Sequence, residues 1–270
     1  MGMDDEKSQF MYYITSPVNE VYDTVTGTWV ARAPMPNSEM DISAHAVNGK
    51  IYVISGAGTY VYDPENDSWT TKTRMPPPYT DSLLISAVLD NKIIVTGEFL
   101  TGSPARPEQK ILIYDAETDN WSVGSSGPTV VVVGAAGATT GVNAPKRVYI
   151  LGLSGEQYPP PPVNQVYNPT TDAWTTATGM PTSRGHFGVV VVNDTLYAIG
   201  GYLYPSGTAT NLNEQYTPFG YGTVPPAPTL SPEPESETKT FPTTLVATAS
   251  GVSGAIIGVG LLVYFKKRRH

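Results

Sequence analysis

The side chains best suited to moving protons or holding metals are scarce in this chain. It has three His, at positions 45, 186 and 270, and no Cys. A thiolate zinc site, an Fe–S cluster, a disulfide scaffold and a Cys nucleophile are therefore excluded. No spacing assembles three His, or two His with a carboxylate, so no metal site is expected. No Ser elbow, P-loop or Gly-rich dinucleotide fingerprint is present. No catalytic residue and no cofactor is assigned, and a binding role is expected ahead of an enzymatic one. The alternative is a carbohydrate-active enzyme that hydrolyses or isomerises a sugar. It would need two converging carboxylates from the 24 Asp and Glu, or an acid with a base.

The richer resource is aromatic: 17 Tyr, 4 Trp and 6 Phe. All four Trp fall in one recurring pattern. Tyr22-Asp23 leads to Trp29, Tyr62-Asp63 to Trp69, Tyr114-Asp115 to Trp121, and Tyr167-Asn168 to Trp174, each Trp seven residues after its Tyr. Six residues beyond Trp29, Trp69 and Trp174 comes Met-Pro, at Met35, Met75 and Met180. The third copy has Gly127-Pro128 at that offset. Two apolar runs separated by a short polar turn follow, as in AHAV-NGK-IYVISG and GVVVV-NDT-LYAIGG. Val, Ile, Tyr and Thr suit a pleated, half-buried surface, and Asn48-Gly49 and Asn193-Asp194 suit tight hairpins. Each copy reads as four short antiparallel strands without a helix. The 26 Gly and 25 Pro punctuate them.

The pattern is frayed at both ends. Met11–Thr15 reads as the remnant of an earlier strand, and Asn213–Pro218 copies Asn164–Pro169 with no Trp following.

A four-stranded repeat with Tyr-Asp…Trp, Met-Pro and a Gly-ended strand resembles the kelch family, over about Tyr12 to Pro218. The family's double Gly is whole only at Gly200-Gly201. The resemblance implies an all-β fold, a kelch-type β-propeller of about five blades with the first and last partial. It implies that each repeat Trp packs between blades, so these aromatics are read as core. Some kelch propellers resemble galactose oxidase, whose copper site needs a Cys crosslinked to Tyr, and no Cys is present. The sialidase box also fails, because Gly27 precedes Trp29 by two residues and no Asp stands at the required position.

A meander places the turns after strands one and three on one face. It places the strand two-to-three loops on the other, and three of these read as long: Gly97–Lys110, Gly152–Gln165 and Gly201–Glu214. Long loops on a rigid scaffold gather binding residues, and aromatics with Arg are common anchors. The candidate ligand-binding residues on this face are Phe99, Arg106, Tyr158, Arg184, Tyr202 and Tyr204. The partner expected there is a protein or a glycan. Three Asn-x-Ser/Thr sequons, at Asn66, Asn120 and Asn193, fall at turns of the opposite face and are candidate glycosylation sites.

The C-terminal region reads differently. Residues 222–243 form a Pro- and Glu-rich stalk. Leu245–Phe265 is 21 residues without a charge, long enough at about 1.5 Å per residue to cross the hydrocarbon core. Lys266, Lys267, Arg268 and Arg269 follow and place the tail in the cytoplasm. The expected division is a disordered 1–10, a propeller at 11–221, a stalk at 222–243, a transmembrane helix at 244–265 and a basic tail at 266–270. Gly254 and Gly258 form a GxxxG that could support a weak homodimer. Without the four tail cations the chain has 12 basic against 24 acidic residues, a balance that repels nucleic acid. No signal peptide is visible in MGMDDEKSQF, so a truncated N-terminus is expected. No LPxTG is present, and permanent single-pass anchoring at the cell surface is preferred over processing by a sortase.

Overall fold

Strands form where β-branched and aromatic residues alternate across a pleat, and they turn where the chain tolerates positive φ. Asn48 and Gly49 sit at φ 49° and 75°, and Asn193 and Asp194 at 51° and 60°, the geometry of tight hairpin turns. A computed structural model of the chain describes residues 16–39, 42–79, 84–101, 106–155 and 158–223.

The order opens with a hairpin, β1 (Asn19–Asp23) and β2 (Thr28–Arg32). A first complete blade follows: β3 (Ser43–Val47), β4 (Lys50–Ile54), β5 (Thr59–Asp63) and β6 (Ser68–Lys72). A second comprises β7 (Ile85–Leu89), β8 (Lys92–Thr101), β9 (Arg106–Asp115) and β10 (Asn120–Ser126). A third comprises β11 (Val131–Ala138), β12 (Val148–Ser154), β13 (Pro162–Asn168) and β14 (Ala173–Ala177). The last blade contains β15 (Arg184–Gly185), β16 (Gly188–Val192), β17 (Thr195–Ile199), β18 (Tyr202–Leu203) and β19 (Asn213–Tyr216). There β16, β17 and β19 make a three-stranded sheet, and β15 pairs with β18 as a ribbon beside it. All pairings are antiparallel, and the innermost strands contact in the order β3, β7, β11, β16.

This is an all-β propeller arrangement of four successive blades, three of them four-stranded, preceded by a two-stranded ribbon. The strand remnant expected at Met11–Thr15 lies outside the described residues, as do residues 224–243 of the expected stalk and the whole of the expected membrane span and tail. Among the described residues no helix is long and apolar enough to cross a membrane.

The apolar core is divided between blades. One cluster joins Val47, Tyr52 and Ile54 of the first blade to Ile93, Leu112 and Tyr114 of the second. Another joins Ile85, Ile94 and Ile111 to Val131, Ile150 and Tyr167. A third joins Tyr149, Leu151 and Val166 to Phe187, Val189 and Leu196. Met35, Met75 and Met180, the Met-Pro residues, are buried, each in a different core cluster.

A repeated latch holds the first three junctions, from the opening ribbon to the third blade. Tyr62, Tyr114 and Tyr167 are buried, and each donates its hydroxyl to the Asp five residues on: Asp67 at 2.7 Å, Asp119 at 2.8 Å and Asp172 at 2.9 Å. The same carboxylates accept the N–H of a residue at the end of the preceding ribbon or blade: Ala33 at 2.9 Å, Thr73 at 3.0 Å and Ser125, within β10, at 2.9 Å. The indole N–H of Trp69, Trp121 and Trp174 donates to the carbonyl of that same residue, at 2.7, 2.8 and 3.3 Å. Asp and Trp thus grip the backbone N–H and C=O of one residue. The residue two before each Trp has positive φ: Gly27 69°, Asp67 47°, Asp119 55° and Asp172 51°. Gly and Asp tolerate that region, but only Asp brings a carboxylate.

The protonation of these groups reflects the latch. The Tyr62 hydroxyl at Asp67 is the largest influence holding that carboxyl below its ordinary value, followed by the Ala33 N–H. At Asp119 burial pushes upward, but the Thr73 N–H and the Tyr114 hydroxyl outweigh it. At Asp172 the Ser125 N–H leads, and the carboxyl is again lowered. Burial, then the bond to Asp67, pushes the Tyr62 hydroxyl up to about 12.

Candidate binding faces

The long-loop face differs in part from the sequence expectation. Gly97–Lys110 is not a long loop. Instead β8 and β9 continue past Gly97 as a ladder, with Gly97 opposite Lys110, Phe99 opposite Glu108 and Thr101 opposite Arg106. Two strands already in register extend at little extra entropic cost, so pairing continued where a Gly had suggested a stop. Phe99 and Arg106 lie near the tip of this hairpin. Likewise β12 runs beyond Gly152 to Ser154, leaving a shorter connection to β13.

The third connection folds back onto the start of its own blade. Tyr202 and Leu203 pair with Gly185 and Arg184, and the Tyr204 N–H donates to the Ser183 carbonyl at 2.9 Å. The Ser183 hydroxyl donates to the Pro160 carbonyl at 3.0 Å. Ser183 thereby ties the Tyr158 loop to the Tyr202–Tyr204 loop. Tyr158 is 82% exposed, Tyr202 46% and Tyr204 37%. The His186 ring meets the Tyr202 ring edge-on, with centroids 6.2 Å apart.

Arg184 does not reach this surface. Its side chain is fully buried and donates to the carbonyls of Gly200 at 2.5 Å and Ala198 at 2.9 Å and to Glu214 at 3.0 Å. Its guanidinium carbon lies 5.3 Å from the Phe187 ring centroid. A buried charge must be paired and hydrogen-bonded, and here it staples the inner strand to β17 and β19. Sequence order put it at the face because it begins an inner strand, and nothing local signalled that Glu214 would meet it. Gly201 permits the crossing: a Cβ there would lie 2.5 Å from the Gly185 carbonyl oxygen, at φ 98°.

The turn face carries the three sequon Asn, all exposed. Asn66 lies in the β5–β6 turn, Asn120 opens β10, and Asn193 lies in the β16–β17 turn. Beside Asn193, Asp194 is buried and clamps the neighbouring blade. Its carboxylate accepts the N–H groups of Thr140 at 2.6 Å, Asn143 at 2.7 Å and Ala144 at 3.0 Å. Burial raises its proton affinity, yet these donors prevail and hold the carboxyl below its usual value.

Several other acidic residues are in ion pairs, among them Asp63 with Lys50, Asp90 with Lys146 and Glu108 with Lys110. Asp115 accepts from Lys92 at 2.8 Å and from two turn amides, and its carboxyl is lowered to about 2. His45 is buried in β3, with its Nε2 2.8 Å from the Ser86 hydroxyl. Among the described residues no group of three or more His, Asp or Glu is placed to hold a metal ion.

The fold and its repeated junctions define a propeller of linked four-stranded blades. Comparison with known proteins is consistent with this. Residues 183–218, the last blade, match the Kelch motif. The chain is 26% identical over 221 residues to Kelch-like protein terF of Aspergillus terreus, covering 77% of this chain and 36% of that protein. It is 30% identical over 120 residues to mouse Kelch-like protein 35, covering 42% and 19%. With human Kelch-like protein 23 the identity is 23%, covering 73% and 34%. The chain therefore spans about a third or less of the length of these relatives. Among solved structures it resembles that of YjhT, with a TM-score of 0.52, 16% identity and 66% of each chain covered. The repeat that matches the Kelch motif thus sits within an all-β propeller arrangement.

Sequence reasoning missed Asp67, Asp119, Asp172 and Asp194. The first three carried a usable signal, an Asp two residues before Trp in three of the four repeats. Asp194 carried none, because its partners come from the loop of the preceding blade.

Proposed function

We propose that this protein is a binding module in which a kelch propeller presents its long-loop face to a protein partner or a glycan. The observation that supports this reading best is the gathering of three exposed tyrosines, Tyr158, Tyr202 and Tyr204, on two loops joined through Ser183. Tyr combines a large rigid contact area with a hydroxyl, which suits recognition of polypeptide or sugar. The similarity to Kelch-like proteins favours a protein partner over a glycan.

The same proposal places the propeller outside the cell, anchored through Leu245–Phe265, with Lys266–Arg269 in the cytoplasm. Its support is the run of 21 uncharged residues followed by four cations. Glycans on Asn66, Asn120 and Asn193 would then cover the turn face and leave the long-loop face free. A GxxxG contact at Gly254 and Gly258 would allow a second copy to lie alongside.

The test is affinity capture and a glycan array with the full-length protein, beside a Tyr158→Ala/Tyr202→Ala/Tyr204→Ala variant. Retained ligands lost with the triple variant support the assignment, and ligands bound equally by both refute it. Alkaline extraction and protease protection report the anchor and its orientation. Release into the soluble fraction would remove the membrane part of the proposal.

A further inference from the structure

Two departures from the repeat meet on the turn face, where the third and last blades adjoin. The first is a loop. In the other blades two residues join the inner pair of strands, 48–49, 90–91 and 193–194, but residues 139–147 join β11 to β12. The Asp194 clamp fixes this loop, because its carboxylate accepts the N–H groups of Thr140, Val142, Asn143 and Ala144. The Val142 side chain is left 69% exposed on a bonded backbone. The second departure is a turn tip. Three residues after Tyr62, Tyr114 and Tyr167 the complete blades carry the exposed Glu65, Glu117 and Thr170, and the opening ribbon has Val25. Three residues after Tyr216 stands Phe219, 94% exposed. The turn does not require a Phe there, since Glu and Thr fill the same position, and a Phe in water forgoes the gain of burial.

Loop and turn are packed on each other. The Gly222 N–H donates to the Asn143 carbonyl at 2.7 Å. A Cβ on Gly220, at φ 80°, would lie 3.2 Å from the Pro145 ring. The turn also closes on itself: the Tyr221 N–H donates to the Pro218 carbonyl at 3.1 Å, and the Thr223 hydroxyl to the Gly220 carbonyl at 2.7 Å. Tyr221 is exposed beside Phe219.

Cations border the aromatic tip. Lys146-Arg147 is the one pair of adjacent cations ahead of the tail, in a body where acidic residues predominate. The Lys146 stem lies over Gly141, where a Cβ would come 2.7 Å from its Cγ, and its ammonium pairs with Asp90 at 2.6 Å.

From this juxtaposition we infer that the edge formed by Val142, Phe219 and Tyr221 docks on a lipid bilayer, with Lys146 and Arg147 facing lipid phosphates. Aromatic side chains settle at the headgroup level, and nearby cations add attraction to anionic lipid. A projecting tip offers a protein partner little area, whereas a bilayer has no shape to match. The inference rests on the anchoring reading of Leu245–Phe265. Thr223 of the same turn stands 22 residues before Leu245, and a tether makes a weak contact persist by raising its effective concentration. Asn66 and Asn120 belong to turns of the first two blades, so glycans there leave this edge free.

The chain has no Cys, so a single Cys substitution carries one environment-sensitive fluorophore. Full-length protein made in a bacterial extract, which leaves Asn193 beside the clamp without sugar, is combined with phosphatidylcholine vesicles with and without phosphatidylglycerol. Probes at Phe219→Cys and Val142→Cys are expected to shift to the blue and to be quenched by lipid-borne spin labels, more strongly with phosphatidylglycerol. Probes at Glu65→Cys and Glu117→Cys should remain in water. The shift at Val142→Cys should be lost in a Phe219→Ser/Tyr221→Ser background. Alkaline extraction of the same vesicles reads the anchor separately. Alkali-resistant protein whose 219 and 142 probes stay in water overturns the inference and leaves the anchor standing. Protein stripped by alkali, but with those probes in lipid beforehand, overturns the anchor and supports the contact. Stripped protein with both probes in water overturns both. Equal shifts at all four positions overturn the inference, because no edge is then preferred.

Discussion

The interior junctions and the two ends of this propeller use the same aromatic residues with opposite results. Tyr114 is fully buried, bonded to Asp119 and stacked on Trp121, whose indole donates to Thr73 in the linker before its own blade. Tyr22 stacks on Trp29 at the same 5.1 Å separation, yet Trp29 is 57% exposed and Gly27 stands where the Asp would be. At the far end Tyr216 has its inter-blade tyrosine but neither Asp nor Trp. The stack is therefore local to a hairpin, and stabilisation comes when a neighbouring blade supplies a residue whose backbone N–H and C=O can be gripped. A repeat is worth most in the middle of an array, where both of its faces are covered.

The contrast can be broken by substitution. Trp121→Ala removes a packed indole and its hydrogen bond and should cost about 3 kcal/mol, whereas Trp29→Ala should cost about 0.5 kcal/mol. Denaturant midpoints of the two variants measure the difference, and equal losses would mean that the opening ribbon is latched as tightly as the interior.

The next effect is a pH dependence of the interior. His45 is buried, and desolvation lowers its pKa to about 4 from 6.5. A base whose folded pKa is depressed leaves the native state neutral while the unfolded chain takes up a proton. Stability is therefore full above pH 6.5 and declines as pH falls from 6.5 toward 4, by about 3 kcal/mol. His45→Gln should flatten the melting temperature across that window, and an unchanged slope would assign the dependence elsewhere.

Asp119→Ala takes the acceptor from the Thr73 N–H and the Tyr114 hydroxyl and should cost about 2 kcal/mol. Gly27→Asp, at a position that already has positive φ, should change stability by less than about 0.5 kcal/mol. Urea titration of both variants separates an interior latch from an end position. A gain on Gly27→Asp would mean that a linker peptide does lie against the opening ribbon. The latch carboxyls themselves are held low in the folded state, so their contribution is present above the ordinary Asp range. It is lost as pH falls below about 4. Acid unfolding of Asp67→Asn should begin at the same pH with a shallower slope.

The repeats were legible because they are local. Tyr and Trp seven apart are brought into tilted ring contact, centroids 5.1–5.2 Å apart, by a single hairpin, so spacing alone located β5–β6, β9–β10 and β13–β14. Turns such as Asn48-Gly49 declared themselves through the φ they require. The extensions of β8 and β12 were not legible, because pairing between strands already in register overrides one Gly. Arg184 was misplaced for a related reason: its partner Glu214 lies 30 residues away, and only the return of β19 buries the guanidinium. Of the candidate face, Tyr158, Tyr202 and Tyr204 are exposed as their loop positions implied, while Ser183, which joins their loops, has no distinguishing sequence context.

The central claim is that the interior junctions are closed and the ends open. Amide hydrogen exchange on the full-length protein tests it in one experiment, since protection tracks local stability. The account predicts that β9–β10 and β13–β14 exchange slowest, and that β1–β2 and the β19 edge exchange far faster. Uniform protection across all of these strands would contradict it.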